Sequence, residues 1–444
     1  MKKEKKEDIE FLEVEVVKDK KNKNKRKQNK KEKIKVIYIV LFLVLILLGI
    51  GCFLLDRYQE KIGKQERKNT VVEVKKHYST YVKTTKQTKI YDKNEKEIGL
   101  YGKDVELILK EENINENTKY FKTDEGSYVS YKDVTPIEKL TTYDTRYKNY
   151  VVFNESVVTK DKTTLYDEKN NLVYSFNKSF TFPIIVKKEK SYGVEYQNRL
   201  LYVKKEDVKE EKKAQNTKEE TRDNIRTLTY HTIYNTETEK CTNTVICHPI
   251  EQFDSHMKYI SEQHYFTLTM HELEMFLNQE IRIPKKSIVI TLDDGKYAQN
   301  AVNIVEKYKV NATYFIISSR YDVKDIKTTY MNFQSHSYNL HNNYKCKGGE
   351  QGGQLLCEDK DKVLEDLRKS KESLGEDVFA FAYPFFDWNE RAKELLSEAG
   401  FRLAFIGQYN TDGFSTYSTE HLMLRRKTIF STDDLNVLED CLSA

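Results

Sequence analysis

The chain has little proline, a single tryptophan and no large excess of charge of one sign. Its 444 residues include 5 prolines and 1 tryptophan, and 75 lysines and arginines are offset by 70 acidic residues. This near balance, without a basic patch interleaved with aromatic residues, argues against nucleic-acid binding. Scarce proline beside 31 tyrosines favours β-rich modules over disordered ones. The length allows two or three domains.

The N-terminal residues predict a membrane anchor. Residues 1–35 are rich in lysine and lack apolar periodicity, which is typical of a disordered tail. Residues 36–55 are uncharged, and their length matches the roughly 20 residues that cross a bilayer as a helix. The lysine-rich flank predicts a cytoplasmic N-terminus and an extracellular remainder, so we expect a single-pass protein of the cell membrane. A cleaved signal peptide and a lipid-modified Cys52 are alternatives, but both normally have shorter apolar runs.

Cysteines with C-x2-C spacing are absent, which argues against a four-cysteine metal site. An extracellular location permits disulfides, and the local pairs to expect are Cys241 with Cys247 and Cys346 with Cys357. The sequence leaves the pairing of these four and Cys441 open.

A tandem repeat precedes a charged linker. Residues 88–92 resemble 163–167, and residues 128–134 resemble 202–208, in each case about 75 positions later. Short alternating strands with turn-rich breaks resemble bacterial SH3-like modules, small β-barrels that commonly bind cell-wall material; a spacer role is the alternative. The predicted order is tail, transmembrane helix, stalk, module 1, module 2, linker and C-terminal domain, at residues 1–35, 36–55, 56–76, 77–140, 141–208, 209–226 and 227–444.

Strand and helix patterns alternate in the last domain, which predicts an α/β fold, a parallel sheet or a distorted (β/α) barrel. Strands are predicted at 228–231, 287–292, 312–317, 378–383 and 401–406, and helices at 250–260, 271–278, 301–308, 360–374 and 389–399.

Two segments carry chemistry. The apolar strand 287–292 ends in Asp293-Asp294-Gly295, and His336 and His341 follow some forty residues later. Taken alone, two adjacent acidic residues commonly cap the helix that follows, and two histidines are commonly surface or structural residues. Together, one carboxylate and two imidazoles make a three-ligand metal site with an open position, which predicts metal-assisted hydrolysis.

These residues resemble the NodB-homology polysaccharide deacetylases, carbohydrate esterase family 4. Residues 291–295 (TLDDG) match the family's first metal motif, and His336-Ser337 with His341 matches the second. The H-x4-H spacing, where many members have H-x3-H, is similar to the branch that acts on poly-β-1,6-N-acetylglucosamine. In that branch an early Tyr-His motif supplies the catalytic acid, and Tyr230-His231 stands in that place. Residues 382–385 (AYPF) match the third motif, which shapes the sugar pocket.

The resemblance and the chemistry together assign roles. Asp294, His336 and His341 would hold a divalent ion, Zn²⁺ in the first place with Co²⁺ or Ni²⁺ as alternatives. Asp293 would act as general base, and His231 would protonate the departing amine. The residues expected on the substrate or oxyanion side are Tyr383, Pro384, Phe385 (through its backbone N–H) and Trp388, whose alternative is a core position. Arg425 is the candidate guanidinium that supports the base.

The expected activity is de-N-acetylation of N-acetylglucosamine units in a cell-surface polysaccharide, with release of acetate. The early histidine favours poly-N-acetylglucosamine as the polymer, while the modules and the anchor favour peptidoglycan. A catalytically silent cell-wall-binding or adhesion protein is the alternative, and no protein partner is inferred. Two departures from the family are Ala382, where many members carry arginine, and Phe386, where glycine often follows. Residues 342–358 are expected to form a rim insertion near the metal.

Overall fold

The structure is a computed structural model that describes residues 80–110, 119–141, 145–215, 219–349, 351–407 and 412–443. The predicted tail, transmembrane helix and stalk lie outside these residues. Within the described ranges, none of the helices has the length and apolar character needed to span a bilayer.

The repeat region consists of short strands. In chain order they are β1 (Tyr81–Thr84), β2 (Thr88–Tyr91), β3 (Glu97–Tyr101), β4 (Glu106–Ile108), β5 (Tyr120–Lys122), β6 (Tyr128–Ser130), β7 (Val134–Pro136), β8 (Glu155–Thr159), β9 (Thr163–Tyr166), β10 (Leu172–Phe176), β11 (Thr181–Pro183), β12 (Val186–Lys187), β13 (Ser191–Tyr196), β14 (Arg199–Lys204) and β15 (Val208–Lys213).

Equivalent turns follow the second strand of each repeat. The Asp92 carboxylate accepts the backbone N–H groups of Asn94 and Lys96, at 2.8 and 2.9 Å. At the equivalent place, the Asp167 carboxylate accepts the backbone N–H of Asn171 at 2.7 Å. An aspartate that bonds its own downstream backbone fixes a tight turn, so the repeated sequence produces a repeated hairpin.

The two repeats pair with each other. β3 and β10 are antiparallel, and Leu100 lies opposite Ser175, its equivalent in the second repeat. An approximate two-fold axis therefore relates the repeats, and one nine-stranded sheet runs through both. The SH3-like character of the modules stays a prediction, because this shared sheet does not test it.

Part of the predicted linker is a strand. β15 includes Lys209–Lys213 and pairs antiparallel with β8. The charged side chains hid this strand from the sequence analysis, since five of its six residues are exposed at a sheet edge.

The last domain contains eleven strands and six helices among the described residues. The strands are β16 (Asn224–Tyr230), β17 (Ile233–Tyr234), β18 (His248–Pro249), β19 (Phe266–Thr267), β20 (Ser287–Asp294), β21 (Ala312–Ile316), β22 (Met331–Ser335), β23 (Ala380–Ala382), β24 (Leu403–Phe405), β25 (Phe414–Thr416) and β26 (Lys427–Thr428). The helices are α1 (Ile250–Glu262), α2 (Met270–Leu277), α3 (Ala298–Tyr308), α4 (Lys360–Leu374), α5 (Glu390–Glu398) and α6 (Leu435–Ser443).

The main sheet is parallel and curled. Pairing is parallel along β24-β23-β22-β21-β20-β16, and β25 pairs antiparallel with β16 beyond this run. Residues 424–428, which we call the closing segment, contact both ends of the parallel run: Leu424 bridges Phe405 of β24, and β26 pairs with β16. This arrangement fits the predicted distorted (β/α) barrel, and it gathers the carboxyl ends of the parallel strands at one rim.

Repeat 2 and the barrel share one hydrophobic core. Tyr147, Ile185 and Tyr202 of the repeat region pack in the same buried cluster as Phe276 and Ile283 of the barrel domain. A backbone bridge joins Val151 to Arg282 beside this cluster. The repeat region is therefore packed against the barrel and is not tethered to it by a free linker.

Glu272 connects the same two regions and gives a test. Its buried carboxylate closes the capping box of α2 and accepts hydrogen bonds from Arg146 Nε (2.9 Å) and the Tyr150 hydroxyl (3.0 Å). We expect Glu272→Ala to lower the free energy of unfolding by about 2–3 kcal/mol, because the cap, the two-nitrogen ion pair with Arg146 and the hydrogen bond from Tyr150 are all lost.

Urea denaturation of the full chain measures this change. Glu195→Ala, at an exposed strand position, is the control and should change stability by less than about 0.5 kcal/mol. Equal effects of the two substitutions would contradict the assigned role of Glu272.

Candidate active site

The aspartate pair lies at the carboxyl end of β20. Asp293 is buried, whereas Asp294 is partly exposed at the rim. The strand ends in left-handed backbone, with φ of 82° at Asp294 and 106° at Gly295. A Cβ atom at Gly295 would lie 3.0 Å from Ile316 Cδ1, so both conformation and space call for glycine. This turn presents the two adjacent acids to different surroundings.

Asp294, His336 and His341 converge, as predicted. One ligand atom from each of them lies within 4.8 Å of the others. Asp294 Oδ1 is 3.8 Å from His336 Nε2 and 3.5 Å from His341 Nε2. His336 Nδ1 lies 2.7 Å from the Ala382 carbonyl oxygen. A carbonyl oxygen only accepts, so Nδ1 carries the proton and Nε2 keeps its lone pair for a metal.

Two side chains hold the histidine loop. The buried Asp366 carboxylate on α4 accepts the backbone N–H groups of Tyr338 and Asn339, both at 2.8 Å. Arg320 Nη2 donates to the His341 carbonyl oxygen at 2.8 Å. These bonds fix the residues between the two histidines, and this spacing brings both imidazoles to one point. The sequence analysis assigned neither Asp366 nor Arg320.

The donor set fits a divalent ion. Burial lowers the pKa of His336 to about 3 and that of His341 to about 4. Both imidazoles are therefore neutral at neutral pH, which is the form that binds metals. Burial also raises the pKa of Asp294, and a bound cation would oppose that shift. Two neutral imidazoles and one carboxylate suit Zn²⁺.

Asp293 pairs with Arg426, not with Arg425. Arg426 Nη1 and Nη2 donate to the two Asp293 oxygens at 2.7 and 2.8 Å, and both side chains are buried. The guanidinium also lies against the rings of Phe315, Phe386 and Phe405. Arg425 is exposed, which corrects the sequence assignment. Alternation along the closing segment would have selected Arg426, because the apolar Leu424 shares its inward face.

The Arg426 pair keeps Asp293 ionised. Burial opposes ionisation, but the guanidinium of Arg426 and the neighbouring His336 outweigh burial, and the pKa of Asp293 lies below its usual range. Each carboxylate oxygen retains a lone pair beyond the one that accepts from Arg426.

His231 is buried beside the same pair. Its ring lies edge-on to Phe386, with centroids 6.1 Å apart, and the Arg426 guanidinium lies 5.3 Å from the same Phe386 ring. Burial lowers the pKa of His231, while the carboxylates of Asp293 and Asp294 oppose the shift. Its buried Nδ1 has no hydrogen-bond partner among the described residues.

The third motif forms a strained turn against His341. Phe385 and Phe386 both have left-handed backbone, with φ of 60° and 62°, at a cost of about 1–3 kcal/mol each. The Phe385 ring lies 4.3 Å from the His341 ring, centroid to centroid. A Cβ atom at Gly407 would come within 2.4 Å of the Phe386 ring, so glycine at 407 makes room for phenylalanine at 386.

Other predicted substrate residues lie in the core. Tyr383 is fully buried and donates its hydroxyl hydrogen to the Leu422 carbonyl oxygen at 3.2 Å. Pro384 is buried, and Trp388 packs partly buried against the cluster around Leu356 and Leu395. The side chains of Tyr383 and Pro384 therefore shape the turn and do not face substrate, which corrects their assignment. Trp388 therefore occupies the core position that the sequence analysis gave as the alternative to a sugar contact.

Comparison with known proteins agrees with this geometry. Residues 281–404 match the family model described as polysaccharide deacetylase. These residues are a polysaccharide deacetylase domain. A poly-β-1,6-N-acetyl-D-glucosamine N-deacetylase of Staphylococcus aureus is 27% identical over 175 residues, which cover 35% of this chain and 59% of that protein. The chain thus spans less than two thirds of the length of this relative.

Solved structures of deacetylases are also similar. The deacetylase PplD of Streptococcus pyogenes has 21% identity and a TM-score of 0.40, covering 49% of this chain and 98% of that one. IcaB of Ammonifex degensii has 19% identity and a TM-score of 0.41, covering 50% of this chain and 99% of that one.

The ion pair in the deacetylase domain predicts a large stability effect. Arg426→Ala leaves a buried carboxylate unpaired, and we expect a loss of about 3–5 kcal/mol at neutral pH. The folded pKa of Asp293 lies below the usual value of 3.8. The contribution of the pair is therefore present above that value and is lost as pH falls through the folded pKa. Unfolding free energies across this range measure it, with the exposed Arg425→Ala as matched control; equal losses would contradict the pairing.

Metal affinity is expected to depend weakly on pH near neutrality. Because the pKa values of His336 and His341 are about 3 and about 4, protons do not compete for these ligands above about pH 6. Calorimetric Zn²⁺ affinity should change by less than about twofold between about pH 7.5 and pH 6, whereas two histidines of ordinary pKa would lower it roughly tenfold. A tenfold change would show that at least one of the three donors, Asp294, His336 or His341, binds protons in this pH range.

Proposed function

We propose that this protein removes acetyl groups from N-acetylglucosamine units of a poly-N-acetylglucosamine-type polysaccharide and releases acetate. The observation that carries the proposal is the convergence of Asp294, His336 and His341 beside the ion-paired Asp293 in a polysaccharide deacetylase domain. The similarity to the S. aureus enzyme supports this class of polymer.

Asp294, His336 and His341 would hold the divalent ion. When bound, such an ion polarises the acetamido carbonyl and lowers the pKa of water, to about 7 in zinc hydrolases. The protein side of the site then has three tasks: to accept a proton from the attacking water, to hold the developing oxyanion and to protonate the leaving nitrogen.

Asp293 is the proposed proton acceptor. It is ionised and buried, and the two terminal nitrogens of Arg426, Nη1 and Nη2, hold it in one orientation. As the water oxygen bonds to the acetyl carbon, its proton passes to a free lone pair of Asp293. Arg426 does not touch substrate in this scheme and acts by positioning the carboxylate.

His231 is the proposed proton donor. When the C–N bond breaks, the imidazolium form of His231 would transfer a proton to the amine nitrogen, which leaves as the free glucosamine amine while acetate is released. Burial lowers the pKa of His231, so the imidazolium is the minority form at neutral pH, and the nearby carboxylates of Asp293 and Asp294 stabilise it. Solvent then takes the proton from Asp293 and returns one to His231, which restores the starting state of the site. The Phe385 backbone N–H is the proposed donor to the oxyanion, since its turn lies against the ligand His341.

The proposed location is the outer face of the cell membrane. It rests on the uncharged residues 36–55 and their basic flank. The two disulfides, Cys241–Cys247 and Cys346–Cys357, support an oxidising compartment. A polysaccharide outside the cell would be the accessible substrate there, and peptidoglycan is the second polymer to test.

Replacing the base separates catalysis from metal binding. We expect Asp293→Asn to lower acetate release by about 10³-fold, because the proton acceptor is lost, while Zn²⁺ affinity stays within about threefold because Asp294 and both histidines remain. Asp325→Asn, an exposed aspartate, is the matched control.

The assay compares the full chain on a β-1,6-linked N-acetylglucosamine oligomer and on peptidoglycan fragments, with and without chelator. An active Asp293→Asn variant would remove Asp293 from the base role. A wild-type chain that binds Zn²⁺ yet releases no acetate from either polymer would favour the catalytically silent alternative.

A further inference from the structure

The strained turn at Phe385 and Phe386 is held from below by a buried carboxylate that the proposed chemistry does not use. Asp387, the next residue, is 3% exposed. Its backbone N–H donates to the Pro384 carbonyl oxygen at 3.1 Å, and the Phe386 N–H donates to the Tyr383 carbonyl oxygen at 3.0 Å. The carboxylate itself accepts from the described parts of the next loop, residues 342–349 and 351–358, which we call the disulfide loop.

Asp387 binds the backbone of the disulfide loop. Its oxygens accept the N–H of Gly353 at 2.9 Å and the N–H of Gln351 at 3.1 and 3.2 Å. A Cβ atom at Gly349 would lie 2.5 Å from Asp387 Cγ, so the loop backbone is pressed onto this carboxylate. An ionised carboxylate that accepts backbone N–H groups makes strong, directional bonds.

The disulfide loop is closed on itself. Cys346 and Cys357 are bonded, the Gln354 N–H donates to the Asn342 carbonyl oxygen at 2.9 Å, and the Tyr344 N–H donates to the Gly352 carbonyl oxygen at 2.9 Å. One disulfide and two backbone hydrogen bonds therefore restrain the loop internally.

The other end of the loop is tied to a metal ligand. Arg320 Nη2 donates both to the His341 carbonyl oxygen and to Asn342 Oδ1, at 2.8 and 3.0 Å. The His341 ring in turn lies against the Phe385 ring. His341, the disulfide loop, Asp387 and the Phe385–Phe386 turn therefore contact one another in sequence, and the last of these contacts returns to His341.

We propose that Asp387 is a positioning residue: it clamps the disulfide loop onto the Phe385–Phe386 turn and so fixes the backbone that faces the reacting acetyl group relative to His341. This inference rests on the proposed deacetylation. Asp387 does not touch substrate, and it acts through the turn. Two successive left-handed phenylalanines persist only where their surroundings over-determine them, and the clamp supplies that constraint.

The test compares Asp387→Asn with Asp325→Asn in the full chain loaded with Zn²⁺. Asparagine offers one acceptor oxygen and turns an N–H₂ group toward the loop donors. We expect kcat for acetate release from a β-1,6-linked N-acetylglucosamine oligomer to fall about 10- to 100-fold. KM and Zn²⁺ affinity should stay within about threefold, because the metal ligands are untouched.

A second variant approaches the clamp from the loop. Cys346→Ser with Cys357→Ser should also lower kcat, and adding Asp387→Asn to it should cost less than the product of the separate losses, because both act on one element. If Asp387→Asn does not fold, the kcat of the double cysteine variant alone tests whether the loop positions the turn. Losses that multiply, or an unchanged kcat, would overturn the proposal.

Amide hydrogen exchange separates this proposal from the proposed function. In Asp387→Asn we expect faster exchange at Gln351 and Gly353 and also at Phe386, whose amide lies in the turn. Unchanged exchange at Phe386 overturns the clamp whatever the activity. If the wild-type chain releases no acetate, the proposed function fails, and exchange at Phe386 alone then decides whether Asp387 positions the turn.

Discussion

The buried ion pair between Asp293 and Arg426 is the interaction on which both the barrel and its site depend. Asp293 is the penultimate residue of β20, inside the curled sheet, and Arg426 lies in the closing segment that contacts β24 and β16. A buried charge without its partner costs several kcal/mol. The same contact therefore holds the closing segment against the sheet and orients the proposed base.

The pair also explains how two adjacent aspartates acquire different chemistry. The guanidinium of Arg426 holds the pKa of Asp293 down, while Asp294, which has no such partner in the structure, has its pKa raised by burial. Without a cation Asp294 is costly to ionise, and a divalent ion offsets that cost. Arg426 thus offsets the charge of Asp293, which is expected to accept a proton. The charge of Asp294 is left for a divalent ion to offset, so an ion is expected at Asp294.

The sequence predicted what local pattern controls. Apolar periodicity located five of the eleven strands and five of the six helices described in the barrel domain. The carboxylate of Asp294 and the imidazoles of His336 and His341, which the sequence analysis grouped, lie together in the structure. It missed what depends on distant chain segments. Arg425 and Arg426 are neighbours with the same charge. Arg426 is buried and pairs with Asp293, whereas Arg425 is exposed, and this difference depends on which face of the closing segment each side chain occupies. Tyr383 lies in a motif that contacts the site through its backbone, which a pattern of side chains does not reveal.

The boundary between the repeat region and the barrel was missed for the same reason. Charge between residues 209 and 226 is typical of a linker, yet β15 pairs within this range and Ile185 packs with Phe276 on the barrel side. A chain cut at residue 227 would expose that apolar surface to water, at roughly 25 cal/mol per Å². The repeats therefore belong to the same folded body as the deacetylase domain. The shared core fixes how the repeat region is oriented toward the Asp293–Arg426 pair.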